Sequence, residues 1–235
     1  MNLLSKKRYE LLSIVDKYGV LSRKQIRNFM KFSEQNLVSA LKQLEELNLI
    51  LRFNLSSGSI YYITKSGSEF VGLINRGYIS SEKKEPNLAS LSHNLKVNDC
   101  ILKQYQEYAE QDFQGIKIVS EREILKNVYE DIELNYTNDR SRQLKMRAGR
   151  RVPDFIFEIV MANGKKVIQA FEVELTRKNK NALKDKLLWY AKNQGDWFTS
   201  VIYFYEEESI KTYVENMWQS SSDLGVVNLF FKKMD

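Results

Sequence analysis

Residues 152–174 decide the fold of the second half of this chain and read VPDFIFEIVMANGKKVIQAFEVE. Two apolar runs flank Asn163-Gly164, and a glycine at this place is typical of a turn between antiparallel strands. A two-residue turn would place a phenylalanine opposite a glutamate, which the hydrophobic pattern forbids. A three-residue loop, with Gly164 in a left-handed bulge, instead pairs Phe155 with Phe171. The sequence therefore predicts a β-hairpin in this second register.

The same register brings three carboxylates to one face of the hairpin. Asp154 faces Glu172, and Glu174 follows on the same side because side chains alternate along a strand. Carboxylates this close repel one another unless a cation binds, a proton is retained or basic side chains intervene. Hard oxygen ligands of this kind suit Mg²⁺ or Mn²⁺, so one of these ions is the cofactor that the cluster suggests.

Helical and strand patterns alternate on both sides of this hairpin. A helix begins near Leu91, and a strand follows at 116–119. After the hairpin come a helix at 179–193, a strand at 198–205, a helix at 207–219 and a strand at 226–231. This order predicts an α/β domain with a mixed sheet. Basic residues precede and follow the hairpin. They either form a phosphate track beside the acids or have no such role. In the second case they belong to an exposed flexible loop at 134–150 and, after the hairpin, to an ordinary charged helix face.

The first eighty residues have a different pattern. A first apolar helical stripe ends at Gly19, Ser22 to Gln25 has the form of a capping box for a second helix, and Ser33 can cap a third. Alternating segments at 49–53 and 60–64 then surround a serine- and glycine-rich turn, which predicts a β-hairpin. Three helices followed by a hairpin resemble a winged helix-turn-helix, and the resemblance covers residues 1–75.

That resemblance implies that the third helix enters the major groove of double-stranded DNA and that the hairpin lies along phosphates. The candidate base-reading residues are Gln35, Asn36, Ser39, Lys42 and Gln43, and the candidate backbone contacts are Arg52 and Lys65. Ser22, Arg23 and Lys24, at the start of the second helix, fit a phosphate site. The alternative is a protein–protein module, since winged helices also serve that role.

The net charge of +6 lies entirely in the first part of the chain. Residues 1–80 hold 12 basic and 6 acidic residues, whereas residues 81–235 hold 24 of each. This asymmetry is what we expect of a domain that meets a polyanion, although charged segments are also often only solvated faces.

The composition excludes several classes of protein. No apolar run approaches the roughly 20 residues that span a bilayer, and the N-terminus lacks the apolar region of a signal peptide, so we expect a cytoplasmic protein without a membrane partner. Cys100 is the single cysteine and His93 the single histidine, which makes an internal disulfide impossible and a structural zinc site implausible. A polar segment broken by Pro86 predicts a linker at 81–92 between domains at 1–80 and 93–235.

Pro153-Asp154, the hairpin and Glu172-Val173-Glu174 resemble the core of the PD-(D/E)XK nuclease superfamily, over roughly residues 92–231. With the winged helix, the segments 93–99 and 121–123 resemble more specifically the replication-relaxation proteins of bacterial plasmids and other mobile elements. The nuclease resemblance implies that Asp154 and Glu172 hold a metal and that a lysine orients the attacking water. Glu174 stands where that lysine is expected, and Lys178 is the nearest replacement.

These observations lead to three hypotheses. The first is a DNA-binding accessory protein for replication, relaxation or mobilisation, with a degenerate nuclease-like domain that contacts DNA or a partner such as a relaxase or replication protein. The second is a metal-dependent DNA endonuclease that uses Asp154, Glu172, Glu174 and Lys178. The third is a homodimeric winged-helix transcriptional regulator.

Overall fold

A computed structural model describes residues 4–78, 87–136, 138–220 and 228–234. The chain divides into two compact units, Met1–Leu102 and Lys103–Asp235, which we call the first and second unit. Within the described residues, one sheet has three strands and the other has five, and helices accompany both. The predicted mixture of helices and strands is therefore confirmed.

The first unit begins with three helices and a small sheet. Its elements are α1 (Lys6–Tyr18), β1 (Val20–Ser22), α2 (Arg23–Phe29), α3 (Glu34–Glu46), β2 (Ile50–Leu55), β3 (Gly58–Ile63) and α4 (Lys65–Val71). The start of α5 (Leu88–Ala109) also belongs to this unit.

Helix caps set the boundaries in this unit. The Ser22 hydroxyl accepts a hydrogen bond from the Gln25 amide while the Gln25 side chain accepts one from the Ser22 amide, so the predicted capping box of α2 is confirmed. The Ser33 hydroxyl caps α3 in the predicted manner. Short polar side chains at these positions stabilise a helix because the first amides of a helix have no partner within it.

The sheet of the first unit is antiparallel in the order β1-β3-β2. The predicted hairpin is present, with Ile50 opposite Ile63 and Leu55 opposite Gly58. Strand β1 is not predicted from the sequence, because a three-residue strand leaves no periodic pattern. It pairs with β3 through Val20 and Tyr62, and both side chains are buried together with Leu91 at the start of α5.

The predicted linker at 81–92 lies only partly within the described residues. Residues 81–86 are outside them, and Leu88 already begins α5. The division between the compact units falls later, between Leu102 and Lys103 within α5.

The second unit contains the five-stranded sheet. Its elements after α5 are β4 (Phe113–Ser120), α6 (Glu121–Asn135), α7 (Asn138–Arg151), β5 (Phe155–Met161), β6 (Lys166–Glu174), α8 (Lys180–Asn193), β7 (Ser200–Tyr205), α9 (Glu208–Gln219) and β8 (Leu229–Lys233). The strands lie in the order β4-β5-β6-β7-β8. Strand β5 is antiparallel to both β4 and β6, whereas β7 is parallel to β6 and β8 is parallel to β7.

The register predicted for the β5–β6 hairpin is confirmed. Phe155 lies opposite Phe171, and the backbone of Met161 bonds that of Lys165 across the predicted loop. Gly164 has φ +78°, the left-handed conformation that the loop requires. Stacked rings of Phe155 and Phe171, with centroids 4.5 Å apart, lie inside this part of the sheet.

Helix α7 and the end of α6 lie in the segment 134–150, for which one alternative from the sequence is an exposed flexible loop. Helix α7 has few apolar side chains, so it lacks the periodic stripe from which a helix is predicted. The sequence also places the last strand at 226–231, and residues 226 and 227 of that prediction lie outside the described residues.

Candidate functional site

Asp154 lies at the start of β5, where backbone hydrogen bonds hold it in place. Its amide donates to the Phe171 carbonyl over 3.0 Å, and its own carbonyl accepts from the Glu121 amide over 3.1 Å. Its carboxylate oxygen Oδ2 accepts from the Val173 amide over 2.7 Å. The side chain is therefore fixed beside the end of β6, next to the two glutamates of that strand.

Glu172 is fully buried, and both of its carboxylate oxygens have partners on α8. The Lys186 ammonium lies 2.5 Å from Oε2, and the Tyr190 hydroxyl donates to Oε1. Lys186 itself is only 6% exposed. This is a buried ion pair with a hydrogen bond on the remaining oxygen, which is the arrangement that makes a buried charge tolerable.

Helix α8 brings these partners to Glu172 through its spacing. Four residues of α8 are buried: Leu183, Lys186, Leu187 and Tyr190. They lie on one helical face, because residues three and four positions apart are neighbours on a helix. The two leucines and the tyrosine belong to the apolar core of the second unit, beside Ala170 of β6. A lysine within this stripe must therefore meet an acid on the sheet.

Glu174 has a second lysine as its partner. The Lys178 ammonium lies 2.7 Å from Oε2 of Glu174 and 3.8 Å from Oε2 of Glu172, so it bridges the two strand acids. We call Asp154, Glu172, Glu174, Lys178 and Lys186 the acid–lysine cluster.

The surroundings of the cluster raise the pKa of both strand glutamates. Burial raises the pKa of Glu172, against the opposing effect of Lys186, and the charge of Asp154 raises it further. Burial likewise raises the pKa of Glu174, against the opposing effect of Lys178. Burial alone would lower the pKa of Lys178, but the neighbouring carboxylates, with Glu172 the strongest, raise it on balance.

A buried tyrosine of β7 completes the surroundings of the cluster. Tyr203 lies opposite Glu172 in the parallel β6–β7 pairing, and its hydroxyl has no hydrogen-bond partner among the described residues. Burial raises the pKa of Tyr203 well above its usual value, and the charges of Glu172, Glu174 and Asp154 add to this effect. The hydroxyl therefore stays neutral and lies within electrostatic range of all three acids.

The predicted residues Asp154, Glu172, Glu174 and Lys178 are thus close together, and their catalytic role stays a prediction. Lys186, Tyr190 and Tyr203 are not predicted as members of this site. A sequence signal for Lys186 exists, since it is a charge within an otherwise apolar helical stripe.

A divalent cation fits this arrangement poorly. Within the described ranges, no group of three or more histidine, cysteine, aspartate or glutamate side chains has the geometry of a metal site. Both oxygens of Glu172 are already engaged by Lys186 and Tyr190. A Mg²⁺ or Mn²⁺ ion could use Glu172 only by displacing one of these partners, so the cluster is arranged for internal charge neutralisation.

The predicted base-reading residues lie on α3. Gln35, Asn36, Ser39 and Lys42 are exposed, whereas Gln43 is half-buried. The Ser39 hydroxyl accepts a hydrogen bond from Arg8 of α1 over 3.2 Å. This face is open to a partner.

One predicted base-reading residue, Lys42, and both predicted backbone contacts, Arg52 and Lys65, have acidic neighbours. Lys42 lies 3.8 Å from Glu46, Arg52 lies 3.7 Å from Glu45 and Lys65 lies 3.6 Å from Glu69. All these side chains are at least a quarter exposed, so the pairs are weak and exchangeable.

Of the predicted phosphate site at the start of α2, Lys24 alone is fully exposed. Ser22 is half-buried and its hydroxyl caps the helix, while Arg23 forms an ion pair with Glu34. Gln25 is buried and donates to the Leu95 carbonyl over 2.7 Å and to Asp99 over 2.8 Å.

None of the described helices has the length and apolar character needed to cross a membrane. A model of the replication-relaxation family matches residues 12–193, from within α1 to the end of α8. No curated protein and no solved structure matches the chain at a significant level. Because the family match extends over most of the chain and includes the strands that carry Asp154, Glu172 and Glu174, this protein belongs to the replication-relaxation family.

Proposed function

We propose that this protein is a DNA-binding accessory protein of a plasmid or another mobile element. Membership of the replication-relaxation family suggests a role in the replication or relaxation of such an element. The observation that carries DNA binding is the exposed polar face of α3, which follows α1 and α2 and precedes the β2–β3 hairpin. This order of elements supports a winged helix-turn-helix, in which the third helix enters the major groove.

The side chains on α3 suit the edges of base pairs. Gln35 and Asn36 can bond adenine through two hydrogen bonds, and Lys42 can donate to guanine. Val38 lies between them and is 46% exposed, although α3 has a well-buried apolar face through Leu37, Leu41 and Leu44. An exposed valine costs solubility, whereas in a major groove its methyl groups would pack against the methyl group of thymine.

In this proposal the second unit is a nuclease-like scaffold that contacts DNA or a partner, such as a relaxase or replication protein, without cutting DNA. The order of elements supports the nuclease-like assignment. Helix α5 precedes three antiparallel strands, with α6 and α7 between the first two, and α8 then leads to the parallel strand β7. The engagement of Glu172 by Lys186 and Tyr190 supports the absence of catalysis, because this acid is not available to a metal.

A binding-site selection followed by titration tests the first half of the proposal. Wild-type protein should enrich a common sequence from random duplexes. Gln35→Ala/Lys42→Ala should then weaken binding to that sequence by about 1–3 kcal/mol for each lost base contact, or roughly 5- to 150-fold. Gln106→Ala/Lys166→Ala removes the same two chemical groups from exposed sites of the second unit and should leave the affinity within twofold. Failure to enrich any sequence would refute base reading by α3.

An endonuclease remains the second candidate function, and the position of Lys178 is the observation that favours it. The ammonium lies between Glu172 and Glu174, so the chain supplies a lysine near the place where the strand has an acid. Supercoiled plasmid incubated with Mg²⁺ or Mn²⁺ would then be nicked by wild type and not by Asp154→Ala. Intact plasmid with both proteins, on DNA that carries the selected sequence, would instead support the binding-only function.

A further inference from the structure

Helix α7 carries an unusual density of positive charge. Its 14 residues contain six arginine and lysine residues and one acid, Asp139. Four exposed residues of α7 follow one another at intervals of three, four and three positions, which aligns them on one helical face. They are Arg140, Gln143, Arg147 and Arg150. We call these four residues the arginine stripe, which extends about 15 Å along the helix at 1.5 Å per residue.

The acidic residues of the second unit neutralise little of this stripe. Lys145 pairs with Glu133, and Arg151 forms a two-pronged contact with Asp185 at 2.7 and 2.9 Å. Both of these pairs involve basic residues outside the stripe. In the part of the chain that the structure describes, Arg147 and Arg150 have no ion pair. These two guanidinium groups repel each other across one helical turn, and a polyanion would remove that repulsion.

The contacts of α7 hold the stripe in a fixed place. Helix α7 packs against α6, and the Arg151–Asp185 pair connects its end to α8, which carries Lys186 of the acid–lysine cluster. Arg140 lies over the ring of Tyr136, with 5.0 Å between the guanidinium carbon and the ring centroid. Because the helix backbone is held in place, its arginines emerge at a fixed spacing, and the planar guanidinium group suits phosphate oxygens.

We propose that the arginine stripe of α7 binds the phosphodiester backbone of DNA and gives the second unit its own sequence-independent contact. This inference rests on the proposed function, because it identifies where the second unit touches the DNA that α3 selects. An anionic lipid surface is the competing polyanion, but a membrane-binding helix needs an exposed apolar face. The exposed side of α7 offers one large apolar side chain, Met146.

The salt dependence of DNA binding tests this proposal. Each phosphate contact contributes about 0.9 to the slope of log affinity against log salt concentration on duplex DNA. Arg147→Gln/Arg150→Gln should therefore lower the magnitude of that slope by about 1.8 on a short fluorescent duplex of arbitrary sequence. The matched control is Lys165→Gln/Lys166→Gln, which removes two exposed charges at the β5–β6 turn and should leave the slope unchanged.

The possible outcomes separate this proposal from the one on which it rests. An unchanged slope in the α7 variant, or an equal reduction in the control, would overturn the arginine stripe while leaving DNA binding by α3 intact. If wild type binds no duplex at any salt concentration, the proposed function fails as well. Sedimentation with phosphatidylserine vesicles provides the last comparison, and vesicle binding that the α7 variant loses, without any change in DNA binding, would assign the stripe to lipid.

Discussion

Replacement of Lys186 by methionine should destabilise the second unit by about 3–5 kcal/mol at neutral pH, which is the usual cost of removing one partner of a buried ion pair. Methionine keeps nearly the volume of the lysine stem, so the cavity contribution stays small. Glu172 would remain fully buried with only the Tyr190 hydroxyl on one oxygen and the more distant Lys178, 3.8 Å from the other. The loss of stability would therefore report the uncompensated carboxylate.

The pH dependence makes this prediction specific. The pKa of Glu172 in the folded protein lies above its ordinary value of 4.5, chiefly because of burial, so the folded state holds the proton more tightly than the unfolded state. Its contribution to stability consequently falls as the pH rises from that value through the folded pKa. Lys186 opposes this rise, and its removal raises the pKa of Glu172 further. The cost of Lys186→Met should be large at about pH 8 and much smaller at about pH 5.

Tryptophan fluorescence during urea unfolding measures this cost directly. Trp189, Trp197 and Trp218 are the only tryptophans of the chain and all lie in the second unit. Lys184→Met, an exposed site on the same helix, is the matched control and should change stability by less than about 0.5 kcal/mol. Adding Glu172→Gln to Lys186→Met should recover most of the loss, because the uncompensated charge is gone. Equal costs at both pH values, or no recovery in the double variant, would refute the reasoning.

Two further changes test the packing of each unit. Tyr203→Phe removes a buried hydroxyl that has no hydrogen-bond partner among the described residues. It should therefore stabilise the second unit by about 1 kcal/mol in the same fluorescence assay. A loss of stability would mean that the hydroxyl is hydrogen-bonded. Gly67→Ala places a Cβ atom 2.0 Å from the Leu49 carbonyl oxygen and should cost about 3 kcal/mol in the first unit, seen by far-UV circular dichroism as an earlier melting transition. Gly115→Ala is its control, because a Cβ atom added at Gly115 meets no other atom within 4 Å. Equal melting of the two variants would show that the backbone at Gly67 moves freely.

The sequence was sufficient to predict the central hairpin because its two faces carry different side chains, with the paired phenylalanines on one and the acids on the other. Moving the pairing by one residue would have turned Phe155 and Phe171 toward different surroundings, so hydrophobic alternation and a single glycine left one register. The helix caps of the first unit were predictable for a similar reason, since Ser22 and Gln25 satisfy each other within four residues. Local patterns of this kind do not depend on the rest of the fold.

Helices α6 and α7 and the partners of Glu172 could not be predicted as easily. Half of the residues of α7 are charged, and a helix without an apolar stripe has no periodic signal. Lys186 and Tyr190 meet Glu172 only because α8 lies over the sheet between the parallel strands β6 and β7. The sequence shows that 183, 186, 187 and 190 share a face, but not which strand that face covers.

The charges of the acid–lysine cluster support the proposed binding function over the proposed catalytic one. Three carboxylates face two ammonium groups, so the lysines offset most of the negative charge of the cluster. Acids paired in this way attract a divalent cation less than three unpaired carboxylates would. Helix α7 differs from the cluster, because its exposed Arg147 and Arg150 form no ion pair within the described residues. In the second unit, unbalanced charge is thus concentrated on a surface suited to phosphates, while the acids that could have activated water are held by the protein's own lysines.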